Sequence, residues 1–475
     1  MDHSWTNSSG VDLYLELPDG RGRRAALETA LRDAIRSGRL AAGQRLPSSR
    51  LLAEEFALSR GTVVDAYAQL AAEGYLRTRP GSGTEVAGTP GVRPRGSTES
   101  VVEVVLADFR FGQPDLSAFP RSSWLRSLRR AFLNAPAAAF GPVDPRGSGV
   151  LRTVLADYLG RVRGVLAEPD SVVVCSGFSQ GLRILCDALV TSGARCIAFE
   201  DPCLPEHRAI ARAAGLEITA IPVDDEGAIP QLTRDVAAIV LTPAHHAPLG
   251  STLTAQRRRE FVNLARESGA VVIEDDYNGE FRYDRQPIGA LQGLAPDHVV
   301  YGGSTSKMLA PALRLGWLVV PPALLDGVIE AKRTADRGTS TVDQLALADF
   351  IDTGNLDRQI RRVRPRYRRR RLDLLATLAS AAPGMSVGGA DAGLHVATRL
   401  PTRGPTEQEV LSLAGERSIA LTGLKQFWHN GNESADGLVL GFATSAQHAY
   451  ANALGLLHAL LRDVFDRPTW RARRS

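Results

Sequence analysis

Lysine is scarce in this chain: it occurs only at positions 307, 332 and 425, against 53 arginines. Cysteine appears four times, at 175, 186, 196 and 203, without a C-x-x-C pair. That spacing excludes the usual metal patterns and leaves four reduced thiols in apolar surroundings. No apolar run approaches the ~18 residues of a membrane helix, and Met1-Asp-His-Ser does not read as a signal peptide. The cytoplasm is the expected compartment. A formal net charge of +4 means that bulk charge does not by itself demand a polyanionic partner. At 475 residues the chain is too long for one small domain and has ample apolar content for large cores.

The scarcity of lysine makes one of them conspicuous. In Tyr301-Gly-Gly-Ser-Thr-Ser-Lys307-Met-Leu-Ala-Pro-Ala-Leu-Arg314, no charged residue lies within six positions of Lys307. Burial among small groups disfavours an ammonium and lowers its pKa, which suits an amine that condenses with an aldehyde. Ser304, Ser306 and Arg314 offer the hydroxyls and fixed cation that a phosphate monoester needs. An aldehyde carrying a phosphate is pyridoxal 5'-phosphate (PLP). A buried lysine paired with a distant acid would show the same local pattern.

The N-terminal stretch reads as helices. Leu27, Leu31 and Ile35 fall four apart before Gly38, and Pro47-Ser48 open a short helix with Leu51, Leu52 and Phe56 inward. Ser59-Arg60-Gly61-Thr62 caps a third helix with Val63, Tyr67 and Leu70 on its apolar face. Gly74–Arg79 and Thr84–Val86 read as a hairpin around a glycine turn. Two short capped helices and a following hairpin make a winged helix-turn-helix. Between Gly20 and Gly96 there are 13 arginines against seven acids, a local excess that fits a phosphate backbone. A small helical domain for protein contacts is the alternative.

Residues 88–104 are rich in Pro, Gly and Ser and read as a flexible connector between a DNA-binding domain at 12–87 and a body at 105–475. In the body, apolar runs ending at Cys175, Phe199, Leu241, Ile273, Tyr301 and Val320 alternate with helical stretches. This is the texture of a mostly parallel α/β sheet, in which ligands bind at the carboxyl ends of strands. Ser176–Gly181 there could cradle an anion, before a helix expected to begin near Leu182. Glu274-Asp275-Asp276-Tyr277 follows another strand; acids so placed need a cation, and a pyridinium nitrogen is one. Metal ligation or helix capping would also use them.

Leu46-Pro-Ser-Ser-Arg50, Leu58-Ser-Arg-Gly-Thr62, Tyr67 and Glu73-Gly-Tyr75 together resemble a GntR-type winged helix. The body resembles the fold-type I PLP-dependent aminotransferases, and the combination, from about residue 12 to 465, resembles the MocR subgroup of GntR-type regulators. The resemblance implies that Arg50, Ser59, Arg60, Thr62 and the turn Gly81-Ser82-Gly83 touch double-stranded DNA. It implies that Lys307 carries the cofactor, Asp275 pairs with its ring nitrogen and Tyr277 bonds its 3-oxygen. Phe178, Ser179, Ser304 and Arg314 would hold the phosphate. A smaller α+β domain would follow a long helix through Gln359–Leu372, with Pro365 expected to kink or break that helix.

Several positions depart from a working aminotransferase. Val439 stands where such enzymes carry the arginine that clamps a substrate carboxylate, Leu204 replaces a stacking aromatic, and Phe140 replaces a phosphate-binding tyrosine. His246 takes a place often held by glutamine. His245 and His246, with no acid or cysteine near in sequence, make a poor metal pair, so no metal is expected. The arginine run from Arg358 to Arg371 reads as a solvated or interface-facing long helix rather than a second nucleic-acid surface. The expectation is a homodimeric PLP-dependent regulator that senses PLP, an amine or an amino acid; the alternative is an active aminotransferase with a DNA-binding arm. Val64 stands where some GntR relatives have a DNA-contacting arginine.

Overall fold

The computed structural model describes residues 22–79, 83–87, 105–284, 288–429 and 436–466. The chain divides into two compact units, Met1–Val102 and Glu103–Ser475. The connector expected at 88–104 lies outside the described residues.

In the first unit, helices Arg23–Arg36, Ser49–Glu55 and Arg60–Ala72 precede the antiparallel strands Leu76–Arg79 and Gly83–Val86, in register from Leu76↔Val86 to Arg79↔Gly83. Both short-range caps form: Ser48 Oγ accepts from the Leu51 N–H at 3.3 Å and Ser59 Oγ from the Thr62 N–H at 3.1 Å. Each satisfies a helix N–H that would otherwise lack a partner. Leu27, Leu31, Leu52, Val63 and Leu70 are fully buried around Tyr67, whose hydroxyl donates to the Pro47 carbonyl at 3.0 Å. Burial of each such aliphatic side chain contributes about 1.5–3 kcal/mol. Ile35 and Leu51 are only partly buried, and Ala34 and Ala53 take the inward positions beside them.

The second unit is built on an eight-stranded sheet in the order Val172–Cys175, Gly316–Val319, Val299–Ser304, Val271–Asp275, Ala238–Leu241, Cys196–Asp201, Glu217–Asp224, Gly227–Ala228. The Gly316–Val319 strand runs antiparallel to both neighbours, the terminal Gly227–Ala228 strand is antiparallel to its one neighbour, and the remaining pairs are parallel. All six apolar runs of the sequence are strands of this sheet. The Glu217–Asp224 strand is absent from that reading because its burial is partial and Pro222 interrupts its pattern. All four cysteines are free and buried.

Beyond Gly316–Val319 the chain enters a smaller layer. Strands Ser386–Gly388, His395–Arg399, Gly437–Gly441 and Thr422–Gly423 form a sheet beside the helices Asn355–Ala381, Glu407–Glu416 and Tyr450–Phe465. The long helix runs unbroken through Pro365, contrary to the expected break. Pro365 lies on the exposed side, where water can satisfy the carbonyl one turn back that loses its donor. Among the described residues, no helix is long and apolar enough to cross a membrane.

Candidate functional site

Three strand ends converge on one place. Asp275 closes the Val271–Asp275 strand and pairs in register with Gly302 of its parallel neighbour, which ends at Ser304. The Val172–Cys175 strand turns through Gly177, at φ +92°, directly into the helix Phe178–Thr191. The helix therefore begins four residues earlier than expected from the sequence, because a glycine can take the left-handed turn that a longer loop would otherwise supply. Its first turn has no side-chain cap, so the N–H groups of Phe178 and Ser179 are directed at whatever lies beyond the strand ends.

Gly302 leaves the space that the Phe178 ring fills: a Cβ on Gly302 would meet Phe178 Cε2 at 2.4 Å. A Cβ on Gly177 would meet the Arg314 guanidinium at 3.2 Å, and Arg314 donates to the Ser176 carbonyl. Ser304 is buried and its Oγ accepts from the Ser306 N–H, whereas Ser179 and Arg314 are exposed. Phe178, Ser179, Ser304 and Arg314 thus surround one end of the site.

At the other end lies Lys307, half-buried as a residue but with its amine enclosed and donating to the Gly112 carbonyl. Burial lowers its pKa to about 8, and the Asp275 carboxylate opposes that shift. Reciprocally, burial and Asp276 push Asp275 well above the usual carboxylate range while Lys307 holds it down. The two side chains are close enough for their charges to act on each other. Asp275 Oδ1 is buried without a hydrogen-bond partner. Asp276, the next residue, points elsewhere: its Oδ2 takes Arg163 Nε at 2.6 Å and the Tyr301 hydroxyl at 2.8 Å. One carboxylate is therefore a structural tie and the other is left over.

Tyr277 lies 3.1 Å from His245 Nδ1, which also receives Asn278 Nδ2 at 3.2 Å. Burial, with Asp275 second, raises the Tyr277 pKa well above its ordinary value. His245, read from the sequence as a poor metal ligand, is the residue that positions this phenol. Its neighbour His246 accepts the Leu249 N–H on Nδ1 at 3.2 Å, which puts its proton on Nε2, 3.7 Å from Glu200 Oε2. His207 lies against the Phe178 ring at 5.3 Å, and burial followed by the Lys307 charge lowers it to about 4. Gly112, Glu200, His207, Asn278 and His395 went unrecognised in the sequence. Only Asn278, directly after Tyr277, carried any local signal.

The remaining wall is apolar. Val439 is fully buried with Leu424 and Phe427, and Phe111, Leu204 and Leu249 pack against them. His395 stands edge-on to Phe111 at 4.6 Å and donates from Nε2 to the Pro248 carbonyl at 2.9 Å. Nearby Arg208 is committed to the carbonyls of Cys203, Phe427 and Trp428. Arg371 is committed to the Ala390 carbonyl and Asp391. A cleft of about 880 Å³ shares Leu249 and Leu424 with this wall but is lined by none of the residues around Lys307.

These residues fit PLP. An enclosed amine of lowered pKa interacts electrostatically with an orphaned buried carboxylate, and a glycine-cornered helix start opens beside a hydroxyl and a guanidinium. That is the donor set of a phosphorylated pyridine aldehyde.

On the DNA-binding unit, the capped start of Arg60–Ala72 presents Arg60, with the Ser59 and Thr62 hydroxyls 2.8 Å apart. Arg50 is exposed and its Nε bonds Glu54 at 3.2 Å. Gly83 begins the second strand of the hairpin; Gly81 and Ser82 lie outside the described residues. The arginine-rich helix is committed to the body. Arg362, Arg364, Arg370 and Arg371 donate to the carbonyls of Ala118, Glu280, Ala443 and Ala390.

Residues 110–429 match the family described as aminotransferase class I and II, and residues 23–86 match the bacterial regulatory proteins of the gntR family. The pyridoxine biosynthesis transcriptional regulator PdxR of Corynebacterium glutamicum is 32% identical over 426 residues, spanning 88% of this chain and 91% of that protein. The probable rhizopine catabolism regulatory protein MocR of Rhizobium meliloti is 32% identical over 439 residues, spanning 87% and 88%. An archaeal alanine:glyoxylate aminotransferase superposes with a TM-score of 0.70 at 22% identity over 76% of this chain and 92% of its own, a likeness of fold. The chain belongs to the MocR subgroup of GntR-type helix-turn-helix transcription regulators, in which a DNA-binding unit is joined to an aminotransferase-like domain that takes PLP.

Proposed function

We propose that the body is a sensor rather than a catalyst of repeated transamination, and that PLP or a primary amine reaching it alters operator binding. The observation that carries this reading is the contrast between the two ends of the site. The cofactor end keeps an enclosed amine, a buried carboxylate, a phenol and phosphate donors, with Leu204 and Phe140 the departures, whereas the wall at Val439 is apolar and offers no uncommitted cation among the described residues. A carboxylate clamp supplies orientation as well as affinity, and an amino acid here would lack it. PLP supplies, when bound, an electrophilic aldehyde conjugated to an electron-withdrawing ring. Lys307 would hold it covalently, Asp275 would keep its ring nitrogen protonated, and Tyr277, positioned by His245, would hydrogen-bond its 3-oxygen. The Phe178 and Ser179 N–H groups with Ser304 and Arg314 would take the phosphate.

PLP itself is the effector best supported, since a relative spanning nearly the whole chain is named for pyridoxine biosynthesis. Arg50, Ser59, Arg60, Thr62 and the Gly81–Gly83 turn would meet the operator. The regulator would act in the cytoplasm as a homodimer. Exposed Leu125, Phe132, Leu133 and Phe140 on and after the helix Arg121–Asn134 would be covered by a second copy. The DNA-binding domain would be 12–87, the connector 88–104 and the effector domain 105–475. The test is operator binding with and without PLP, set beside transaminase assays over a panel of amino-acid and oxo-acid pairs. PLP-dependent binding without multiple turnover is expected. Steady turnover with any pair would favour the alternative, an active aminotransferase with a DNA-binding arm, which the lowered pKa of Lys307 keeps in view.

A further inference from the structure

Val64 is the one large aliphatic side chain that is exposed among the described residues of the DNA-binding unit, with 45% of its surface open. A single exposed aliphatic residue is ordinary on a protein surface. Its location is what gives this one meaning. It lies in the second turn of Arg60–Ala72, whose Val63, Ala66, Tyr67 and Leu70 are turned into the core. Of the outward residues, Asp65 lies 3.9 Å from Arg24 and Gln69 donates to Glu73 at 2.9 Å, so both lean back onto the unit. What remains is a row one turn apart: Arg60, Val64 and Ala68, all exposed. Arg60 has no partner among the described residues. Valine is a weaker helix former than alanine and gains no burial at this position in the free protein.

We infer that Val64 is a base-reading residue whose ligand is the C5-methyl group of a thymine in the major groove. Resting on the helix-turn-helix assignment, this names what the recognition helix reads. The major-groove edge of thymine is the one base edge that carries an apolar group, and a branched aliphatic side chain is its complement. Arg60, one turn earlier, has the fork that reads guanine O6 and N7. One helical turn advances about 5.4 Å, or about two base-pair steps at 3.4 Å. The operator half-site should therefore carry a thymine within about two base pairs of a guanine. Ala68 is small enough for the helix to sit deep, and the excess of arginine over acid in this unit supplies the sequence-independent attraction.

The test uses the full-length protein and a duplex library with a randomised core. From the selected duplex, each thymine is replaced in turn by deoxyuridine, which deletes the methyl group and leaves the hydrogen-bonding edge intact. One thymine per half-site should be methyl-sensitive, with binding weakened about fourfold, the value of one methyl-sized group removed from water. Val64→Ala should bind the thymine and deoxyuridine duplexes equally, and Val64→Thr, which keeps one methyl, should retain part of the discrimination. Because Val64 is exposed, neither variant should melt appreciably below the parent protein, and Val64→Ala should melt at or slightly above it. Sensitivity at no thymine, or unchanged sensitivity in Val64→Ala, overturns the inference while leaving DNA binding intact. Failure to select any duplex overturns both this inference and the assignment beneath it.

Discussion

The three lysines of the chain make one prediction unusually clean. Lys332 is buried with its amine bonded to Asp336 and Thr339, and Lys425 is paired with Asp436 at 2.6 Å. The enclosed Lys307 has no such acid partner among the described residues, and burial lowers its pKa to about 8 from an ordinary 10.5. At pH 7.5 an amine with a pKa of about 8 is roughly one-quarter neutral, whereas an ordinary lysine is about 0.1% neutral. The neutral form is the one that attacks an aldehyde, so burial raises the reactive fraction roughly two-hundredfold. PLP capture, followed by absorbance between pH 6 and 9.5, should rise with pH and level off above a midpoint near 8. Borohydride trapping and peptide mapping should find the label at Lys307. Burial is the main cause of the shift and Asp275 opposes it, so Asp275→Asn should move the midpoint to lower pH while weakening retention of the cofactor. A midpoint near 10.5, or label shared with Lys332 or Lys425, would refute this reasoning.

Three further outcomes follow from the same geometry. Arg163→Met leaves Asp276 buried without its cation, held only by the Tyr301 hydroxyl, and should lower the stability of the body by about 3–5 kcal/mol. The double variant Arg163→Met/Asp276→Leu should recover much of that in denaturant titrations, and equal loss in both would contradict the tie. Glu200 is raised by burial to about 8, so it is protonated in both states below its unfolded pKa near 4.5. Between those values the unfolded state alone ionises, and Glu200 progressively disfavours folding as pH rises. Glu200→Gln should therefore melt close to the parent at pH 4.5 and above it at pH 8.5; parallel pH curves would show that the shift is absent. Ser59→Ala removes a helix cap and should cost about 1 kcal/mol in the DNA-binding unit, read from its melting, with unchanged melting counting against the cap.

The elements most readable in the sequence were those that local chemistry specifies. Ser48 and Ser59 announced two helix starts, the apolar runs announced six strands, and the isolation of Lys307 among small residues announced an enclosed amine. What could not be read was set by long-range packing. The Gly112 carbonyl meets Lys307 across 195 positions of chain, and His245 meets Tyr277 across 32. The distinct fates of Asp275 and Asp276 also needed the fold, because only a partner from the distant helix Gly149–Arg163 decides which carboxylate is spoken for. The proline in the long helix misled for a related reason: a missing donor matters only where the carbonyl it abandons is shut away from water.

Besides its apolar face, the helix Asn355–Ala381 fastens itself to the body through guanidinium groups gripping main-chain oxygens. Neither member of such a pair titrates in the physiological range, since arginine keeps its proton and an amide oxygen has none to lose. Mild acid therefore has little leverage over these particular bonds, and salt has less than it would over carboxylate pairs at the surface. The oxygens belong to the main chain, so the bonds do not depend on which side chain the partner residue carries; at the buried Ala118 and Ala443 only small side chains fit. The spine is a joint that tolerates drift in sequence around it, provided that its own arginines remain.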